Sequence, residues 1–376
     1  MRYNPAAPVC GLRCPPLQSV SGMVSFGLFC LMGYRDRGSA VSEVLGNAVQ
    51  MVQWAEEAGF EAAWFAEHHF SNYCVCPSPL VMVNHCAGLT TRIKLGPAVI
   101  VVPLYHPVRL LSEIGMTQAL LGEDRFLLGL GSGYQPYEFE RFGADLGDSK
   151  ARLDEFLALM DQAYAGETFS FDGDFTALPE TSISTRPPEG VPPIWIAGDS
   201  ESTHRLAARR GFVPIITGRW FGAGYLAEQR ERIDASYAAE GLGGETHDLG
   251  ILRFVCVTES DEETRDYLVN ARQQMRFAAA LRNRQEAMDG GMLVERPFSG
   301  EPPLEEMAAS LPVGDAATVA ERLTADIRAS GASHMMLNIQ AAGSAMVQAE
   351  RTIRAFASEI RPAIERGLAE DPGAAG

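Results

Sequence analysis

The sequence predicts a (β/α)8 TIM barrel with insertions, and three observations support this fold class. Apolar runs of strand length alternate with segments of helical period, which is typical of a parallel sheet with crossover helices. Eight such units follow one another in order, as a closed barrel requires. The turn after the first strand has no clear G-x-G-x-x-G pattern, so an open dinucleotide-binding sheet fits less well.

Four strand and helix units fill the first half of the chain. The predicted strands are 25–32, 62–66, 93–103 and 125–130, and the predicted helices are 41–58, 79–89, 107–121 and 150–164. The first helix illustrates the pattern, because apolar side chains recur at helical spacing from Val41 until Gly59 stops them. Pro107 stands near the first turn of the third helix, where a proline is well tolerated.

Four further units follow in the second half. The predicted strands are 193–197, 213–217, 251–258 and 334–339, and the predicted helices are 201–210, 224–239, a long one from near Glu262, 316–330 and 345–364. Residues 168–192 are expected to be irregular, and residues 289–311 to form a loop or lid with glycine and proline turns. The barrel is assigned to 25–368, between a poorly ordered extension at 1–24 and a tail at 369–376.

Composition and charge exclude several classes of partner. With 48 acidic and 31 basic residues the formal net charge is −17, so nucleic acid and anionic membrane surfaces are not expected partners. No apolar run reaches the roughly 18 residues of a membrane span. The seven cysteines are odd in number and scattered, which favours a reducing cytoplasm. Cys74 and Cys76 have no second pair at metal-ligand spacing, so no metal site is expected.

A histidine pair beside a carboxylate directly follows the second predicted strand, as Glu67-His68-His69. Catalytic groups of such barrels lie at the carboxyl ends of the strands, and histidine transfers protons near neutral pH. Neighbouring residues of a strand point to opposite faces, so the two histidines are not expected to share a metal. Considered alone, the motif is explained by one structural and one surface histidine as well as by a proton-transfer site.

Other chemical motifs follow the later strands. Tyr-His-Pro-Val-Arg occupies 105–109 after the third strand, and Gly-Leu-Gly-Ser-Gly-Tyr occupies 129–134 at the end of the fourth. After the fifth strand, Ala-Gly-Asp-Ser-Glu-Ser-Thr at 197–203 leads into a helix. Backbone and hydroxyl donors at a helix N-terminus suit a phosphate, although simple capping of the helix explains the same residues.

Taken in order, these motifs resemble the bacterial-luciferase-like flavin monooxygenases. The resemblance is carried by Glu-His-His-Phe at 67–70, Gly-Pro-Ala-Val-Ile-Val-Val-Pro at 96–103, His-Pro-Val-Arg at 106–109 and Asp-Arg-Phe-Leu-Leu-Gly-Leu-Gly-Ser-Gly-Tyr at 124–134. It continues through Glu138-Phe139, Ser-Glu-Ser-Thr at 200–203 and Leu-Pro-Val-Gly-Asp at 311–315. The resemblance implies reduced flavin mononucleotide (FMN), molecular oxygen, a flavin 4a-peroxide and a small organic substrate such as an aldehyde or ketone. It further implies a separate flavin reductase and a homodimer.

The resemblance also implies roles for individual residues. His68 matches the histidine beside the flavin and is expected to act as general acid and base, with Glu67 and His69 as cofactor-site or orienting groups. Ala98-Val99 matches a position where the family often has a non-proline cis peptide under the flavin ring. Lys150, Ser200 and Thr203 are expected to hold the phosphate. The remaining residues expected at the cofactor are Ser132, Tyr134, Ala197, Gly198, Asp199 and Trp220.

Two departures from the family pattern and three alternatives stay open. Gly131-Ser132 replaces a Cys-Arg pair, which argues against light emission with a long-chain aldehyde, and residues 118–122 lack the family's acid. A relative that transfers hydride with a deazaflavin coenzyme is the first alternative. A non-catalytic flavin-binding relative is the second, and a metal-dependent barrel hydrolase is the third. Substrate specificity is expected to come from residues 70–79, 220–224 and 289–311.

Overall fold

The computed structural model describes residues 24–122, 124–187 and 190–370. Apart from Val24, Ala369 and Glu370, the expected extension at 1–24 and tail at 369–376 lie outside these residues. The strands are β1 (Ser25–Cys30), β2 (Ala62–Phe65), β3 (Lys94–Pro97), β4 (Ile100–Val101), β5 (Leu128–Gly131), β6 (Phe169–Asp172), β7 (Ala177–Thr181), β8 (Ile194–Ala197), β9 (Val213–Thr217), β10 (Gly250–Phe254), β11 (Cys256–Val257), β12 (Met288–Asp289), β13 (Met292–Leu293), β14 (Val313–Gly314) and β15 (His334–Asn338).

Helices connect the strands on the outside of the sheet. They are α1 (Val41–Glu57), α2 (Pro79–Ala87), α3 (Pro107–Leu121), α4 (Pro136–Phe142), α5 (Ser149–Ala165), α6 (Glu201–Arg210), α7 (Ala223–Ala239), α8 (Asp261–Arg282), α9 (Leu304–Ser310), α10 (Ala316–Ser330), α11 (Met346–Ala355) and α12 (Arg361–Ala369). None of the described helices combines the length and apolar character that crossing a membrane requires.

The main sheet closes into the expected parallel barrel. Its strand order is β3-β2-β1-β15-β10-β9-β8-β5-β4, and every neighbouring pair in it is parallel. Strands β3 and β4 are two pieces of one barrel strand, and a parallel bridge between Leu95 and Phe126 completes the ring. The carboxyl ends of all eight barrel strands therefore open at one mouth.

Large side chains from different strands fill the barrel interior. The rings of Trp64 and Trp195 meet 5.1 Å apart, and Trp64 Nε1 donates a hydrogen bond of 2.9 Å to His334 Nε2. Glycine provides the space, because a Cβ at Gly27 would stand only 2.7 Å from His334 Nε2. Burial lowers the pKa of His334 to about 3, so this histidine packs as a neutral ring.

The structure corrects several boundaries of the predicted elements. The third strand, expected at 93–103, breaks at Ala98-Val99, and the seventh, expected at 251–258, ends at Phe254 before β11 pairs with β14 outside the barrel. The segment at 168–192 contains the antiparallel hairpin β6–β7. The short helix α4 was not predicted, and one π-helical turn at Phe356–Ile360 joins α11 to α12.

Residues 289–311, expected to form a loop or lid, contain the end of the β12–β13 hairpin and helix α9. Ion pairs attach this segment to α8 and to the loop after β1. Glu295 lies 2.8 Å from Arg276 and 2.9 Å from Arg35, and Glu301 also pairs with Arg276. Ion pairs near the middle of residues 289–311 therefore hold this segment, the insertion, against the barrel.

Candidate active site at the barrel mouth

His68 and Glu138 meet at the carboxyl end of the barrel. His68 follows β2, and its Nδ1 lies 3.1 Å from Glu138 Oε1, which also accepts the backbone N–H of His69 at 2.7 Å. Glu138 is buried in α4, whereas the His68 side chain retains 12% exposure. A carboxylate facing Nδ1 favours the tautomer with its proton there. The His68 Nε2 makes no hydrogen bond to the described residues and stays available to a ligand.

Glu67 and His69 form a second, deeper pair. His69 Nε2 lies 3.0 Å from Glu67 Oε1, and Glu67 Oε2 accepts hydrogen bonds from the Val101 N–H at 3.1 Å and from the Tyr105 hydroxyl at 3.0 Å. Burial raises the pKa of the Glu67 carboxyl, and these hydrogen bonds act against the rise. Glu67 therefore ties the end of β2 to the strand that follows the break at Ala98-Val99. This contact supports an orienting role.

Gln135 and Tyr134 extend the network from His68. Gln135 Nε2 lies 3.0 Å from His68 Nδ1 and donates to the Tyr134 hydroxyl at 3.1 Å, while Gln135 Oε1 is buried without a hydrogen-bond partner in the described residues. The rings of His68 and Tyr134 meet edge to face at 5.7 Å. Burial raises the pKa of the Tyr134 hydroxyl. A buried amide oxygen without a partner is a feature that a bound polar group would satisfy.

The glycine-rich end of β5 is shaped by the cis peptide Ala98-Val99 beside it. The cis bond occurs at the position expected from the sequence. A Cβ at Gly129 would lie 2.0 Å from the Pro97 carbonyl oxygen, and one at Gly131 would lie 2.6 Å from a methyl group of Val99. Glycine at both positions therefore lets β5 approach the strand that carries the cis bond.

A lysine and several hydroxyl groups converge beside this mouth. Lys150 Nζ, at the start of α5, donates to Ser202 Oγ at 2.8 Å and to Ser200 Oγ at 3.3 Å. Ser200 Oγ also lies 2.9 Å from Thr203 Oγ1 and accepts the Thr203 N–H as the N-cap of α6. Gly198 has a φ of 153°, and a Cβ there would meet Thr203 Oγ1 at 2.9 Å. We call Lys150, Ser200, Ser202 and Thr203 the hydroxyl cradle.

The hydroxyl cradle fits the phosphate of a flavin mononucleotide. It combines one ammonium group with three hydroxyl groups at the N-terminus of α6, where the helix dipole favours an anion. The two hydrogen bonds from Lys150 hold its ammonium group against the hydroxyl groups rather than out in solvent. Lys150, Ser200 and Thr203, which are 53 positions apart at most, thus meet as expected, and Ser202 joins them.

The turn after β9 adds an arginine that the sequence did not single out. Arg219 has a positive φ of 49°, and its guanidinium lies 2.8 Å from Asp199 Oδ2, directly before Ser200. The buried Arg253 fastens this turn, because it donates to the carbonyl oxygens of Gly218 at 3.1 Å and Phe221 at 2.7 Å. Asp199 therefore pairs with Arg219 instead of capping α6.

Several of the expected site residues fall into two groups. The network around His68 brings together Glu67, His69 and Tyr134, and the cradle brings together Lys150, Ser200 and Thr203. Trp220, also expected at the cofactor, packs on Phe298 of residues 289–311 at 5.4 Å and against a second apolar cluster. Glu138, Gln135, Ser202, Arg219 and Arg282 were not named as site residues from the sequence. Within the described ranges, no three His, Cys, Asp or Glu side chains are arranged to hold a metal ion.

Sequence comparison identifies relatives along most of the chain. The family model described as luciferase-like monooxygenase matches residues 24–334. An uncharacterized protein, y4vJ of Sinorhizobium fredii, is 35% identical over 92% of this chain and 99% of its own length. The oxygenase component of the flavin-dependent trigonelline monooxygenase of Acinetobacter baylyi is 26% identical over 63% of this chain and 66% of its own length.

Solved structures share the fold. The FMN complex of the oxygenating constituent of 3,6-diketocamphane monooxygenase, from Pseudomonas putida, has a TM-score of 0.71 at 20% identity and covers 91% of this chain and 98% of its own. An F420-dependent secondary alcohol dehydrogenase has the same TM-score of 0.71 at 14% identity, over 91% and 99% of the two chains. These likenesses support the barrel, and the sequence match supports the family expected from the motifs. The chain therefore belongs to the luciferase-like monooxygenase family.

Proposed function

We propose that this chain is a monooxygenase that uses reduced FMN and molecular oxygen to oxygenate a small organic substrate such as an aldehyde or ketone. The observation that carries the proposal is the position of His68, paired with the buried Glu138, at the same barrel mouth as the hydroxyl cradle. A proton-transfer group and an anion site at one mouth are what an FMN enzyme needs.

Each part of the cofactor has residues suited to it. Lys150, Ser200, Ser202 and Thr203 would hold the phosphate, and Ala98-Val99 would lie under the flavin ring. When it is bound, reduced FMN supplies the electrons that activate molecular oxygen. Gly129 and Gly131 let β5 lie directly against the strand that carries the cis bond, which fixes the backbone at this position.

His68 is the residue proposed to move a proton during the reaction. Glu138 accepts a hydrogen bond from Nδ1 and so fixes the ring, which leaves Nε2 as the atom that would face the bound cofactor and substrate. A carboxylate beside Nδ1 stabilises the positive charge that the ring gains when Nε2 accepts a proton. His69 and Glu67 lie behind His68 and are proposed to hold the segment in place rather than to react.

We further propose a separate flavin reductase, a homodimer and a cytoplasmic location. The trigonelline monooxygenase relative is described as an oxygenase component, which supports a separate reductase that supplies the reduced flavin.

Apolar side chains that could form the dimer contact are exposed on α2, just after it and on α3. Val81 is 65% and Leu120 67% exposed, and Leu89, two residues after α2, and Met116 are nearly half exposed. A patch of this kind favours a protein contact. Sedimentation of the wild type and of Leu120→Asp would test the dimer, and a monomeric wild type would contradict it.

The reaction type can be tested by supplying each cofactor separately. We would screen aldehydes and ketones with FMN, NADH and an added flavin reductase, and follow oxygen uptake and the mass of the products. The proposal predicts a product that gains one oxygen atom only when FMN and oxygen are both present. Turnover without oxygen, using a reduced deazaflavin coenzyme, would instead support the hydride-transfer alternative.

A further inference from the structure

Arg282 ends helix α8 above the catalytic network. Its guanidinium carbon lies 4.6 Å from the centroid of the Tyr134 ring, so the cation rests on the aromatic face. The same positive charge acts on Asp199, whose pKa lies below its usual range mainly because of Arg219 and then Arg282, against the effect of burial. Because Tyr134 follows β5 and Asp199 follows β8, Arg282 stands over the gap between two adjacent barrel strands.

Arg282 differs from the arginines around it in having no acidic partner among the residues that the structure describes. Arg219 pairs with Asp199 at 2.8 Å, Arg276 pairs with Glu295 at 2.8 Å, and Arg284 pairs with Glu140. No carboxylate of the described residues lies within ion-pairing distance of Arg282, although acidic residues outnumber basic ones by 48 to 31. Its planar set of N–H donors is exposed and matches the two oxygens of a carboxylate.

The guanidinium is connected to His68 by only two side chains. Tyr134, on which it rests, accepts a hydrogen bond from Gln135, and Gln135 contacts His68 Nδ1 at 3.0 Å. A ligand group held by Arg282 would therefore fix the rest of a small molecule beside the His68 ring. The stacking contact limits the motion of the guanidinium and so reduces the entropy that ligand binding would cost.

We propose that Arg282 is an anion subsite that binds a carboxylate group of the organic substrate. The inference rests on the monooxygenase function proposed above and narrows its substrates to small organic acids. The phosphate of the cofactor is the other source of an anionic oxygen group at this mouth. We favour the substrate because the hydroxyl cradle already supplies one ammonium and three hydroxyl groups for the phosphate.

Matched pairs of acids and amides test the subsite. We would titrate hexanoate and hexanamide, benzoate and benzamide, and nicotinate and nicotinamide into the FMN-loaded protein by calorimetry. The wild type should bind at least one acid about tenfold more tightly than its amide, since a charge-assisted hydrogen bond is worth that much. Arg282→Gln should remove the preference, and Arg282→Lys should keep part of it. Arg265→Gln, which removes an exposed arginine from the same helix, should leave it unchanged.

Three results would overturn the subsite. They are a wild type without any preference for acids, an Arg282→Gln variant that keeps the preference, and an Arg282→Gln variant that loses FMN affinity instead. The last result would assign the guanidinium to the cofactor phosphate. Repeating the titrations without FMN separates the subsite from the proposed monooxygenase function. If FMN does not bind, the proposed function is contradicted, but the preference for acids can still be measured.

Discussion

The Oε1 atom of Glu138 lies 3.1 Å from His68 Nδ1 and 2.7 Å from the backbone nitrogen of His69. One buried carboxylate oxygen thus fixes both the ring of His68 and the chain that carries it. Because α4 holds this carboxylate, the orientation of His68 depends on a helix that begins more than 60 positions later in the sequence.

Replacing Glu138 should lower turnover more than substrate binding. In Glu138→Gln the amide oxygen can still accept the His69 N–H, but the negative charge beside His68 is lost. We expect kcat to fall about 10- to 100-fold with a small change in KM, which is at or below the lower end of general acid and base effects because His68 itself is retained. Steady-state kinetics measures kcat and KM separately. Glu140→Gln on the same helix is the control, because its exposed partner is Arg284, and an equal loss there would contradict the assignment.

Lys150 should control FMN affinity. Removing its ammonium group in Lys150→Gln is expected to weaken FMN binding about tenfold, as the loss of a charged hydrogen bond to phosphate would. Quenching of FMN fluorescence on titration gives the dissociation constant. The only other lysine, Lys94, begins β3 at the opposite end of the barrel and serves as the matched control. Equal affinities for the two variants would mean that the hydroxyl cradle does not hold the phosphate.

Mutations of Arg253 and Asp326 should have strongly coupled effects on stability, because the two residues form a buried ion pair. Arg253 Nε lies 2.8 Å from Asp326 Oδ2, and both side chains are buried. Arg253→Leu leaves the acid and three carbonyl oxygens without their partner, so we expect a loss of about 3–5 kcal/mol in the free energy of unfolding. Urea denaturation measures it. The double change to Arg253→Leu and Asp326→Leu should recover much of the loss, and simple additivity of the two single changes would refute the coupling.

His334 should make the protein less stable as the pH falls. Its pKa is about 3 in the folded state, below the ordinary 6.5, because burial opposes the charged ring. Between these values the unfolded chain binds a proton that the folded chain does not. The free energy of unfolding should therefore drop by about 1.4 kcal/mol for each pH unit across this window. Urea titrations from about pH 7 to about pH 5 on wild type and His334→Gln should give different slopes; parallel curves would contradict the assignment.

The barrel could be predicted from the sequence because most residues of its strands are apolar and its helices are periodic. The bounds of α6 and α10 agree with those predicted, since each is long enough to show its period and ends at a glycine. The break at Ala98-Val99 was not visible as a strand end, because every residue from 98 to 102 is apolar and fits a strand. Helix α4 spans only seven residues, too few for a clear helical period.

The candidate site was predictable where a motif follows a strand and not where distant segments meet. The histidine pair and the hydroxyl-rich turn were found because each lies directly after a strand. Glu138 entered only as part of a resemblance, since its contact with His68 depends on the direction of the unpredicted α4. Arg282 is 148 positions from Tyr134, and only the closed barrel brings the two together.

Labelled oxygen shows whether His68 takes part in oxygen chemistry at an FMN site. The measurement is the mass of the product formed under oxygen-18 gas with FMN and a reductase, by the wild type and by His68→Ala. We expect one labelled oxygen atom in the wild-type product and a rate at least about a hundredfold lower for the variant, which should still bind FMN. An unlabelled product, or a labelled product formed equally fast by His68→Ala, would contradict it.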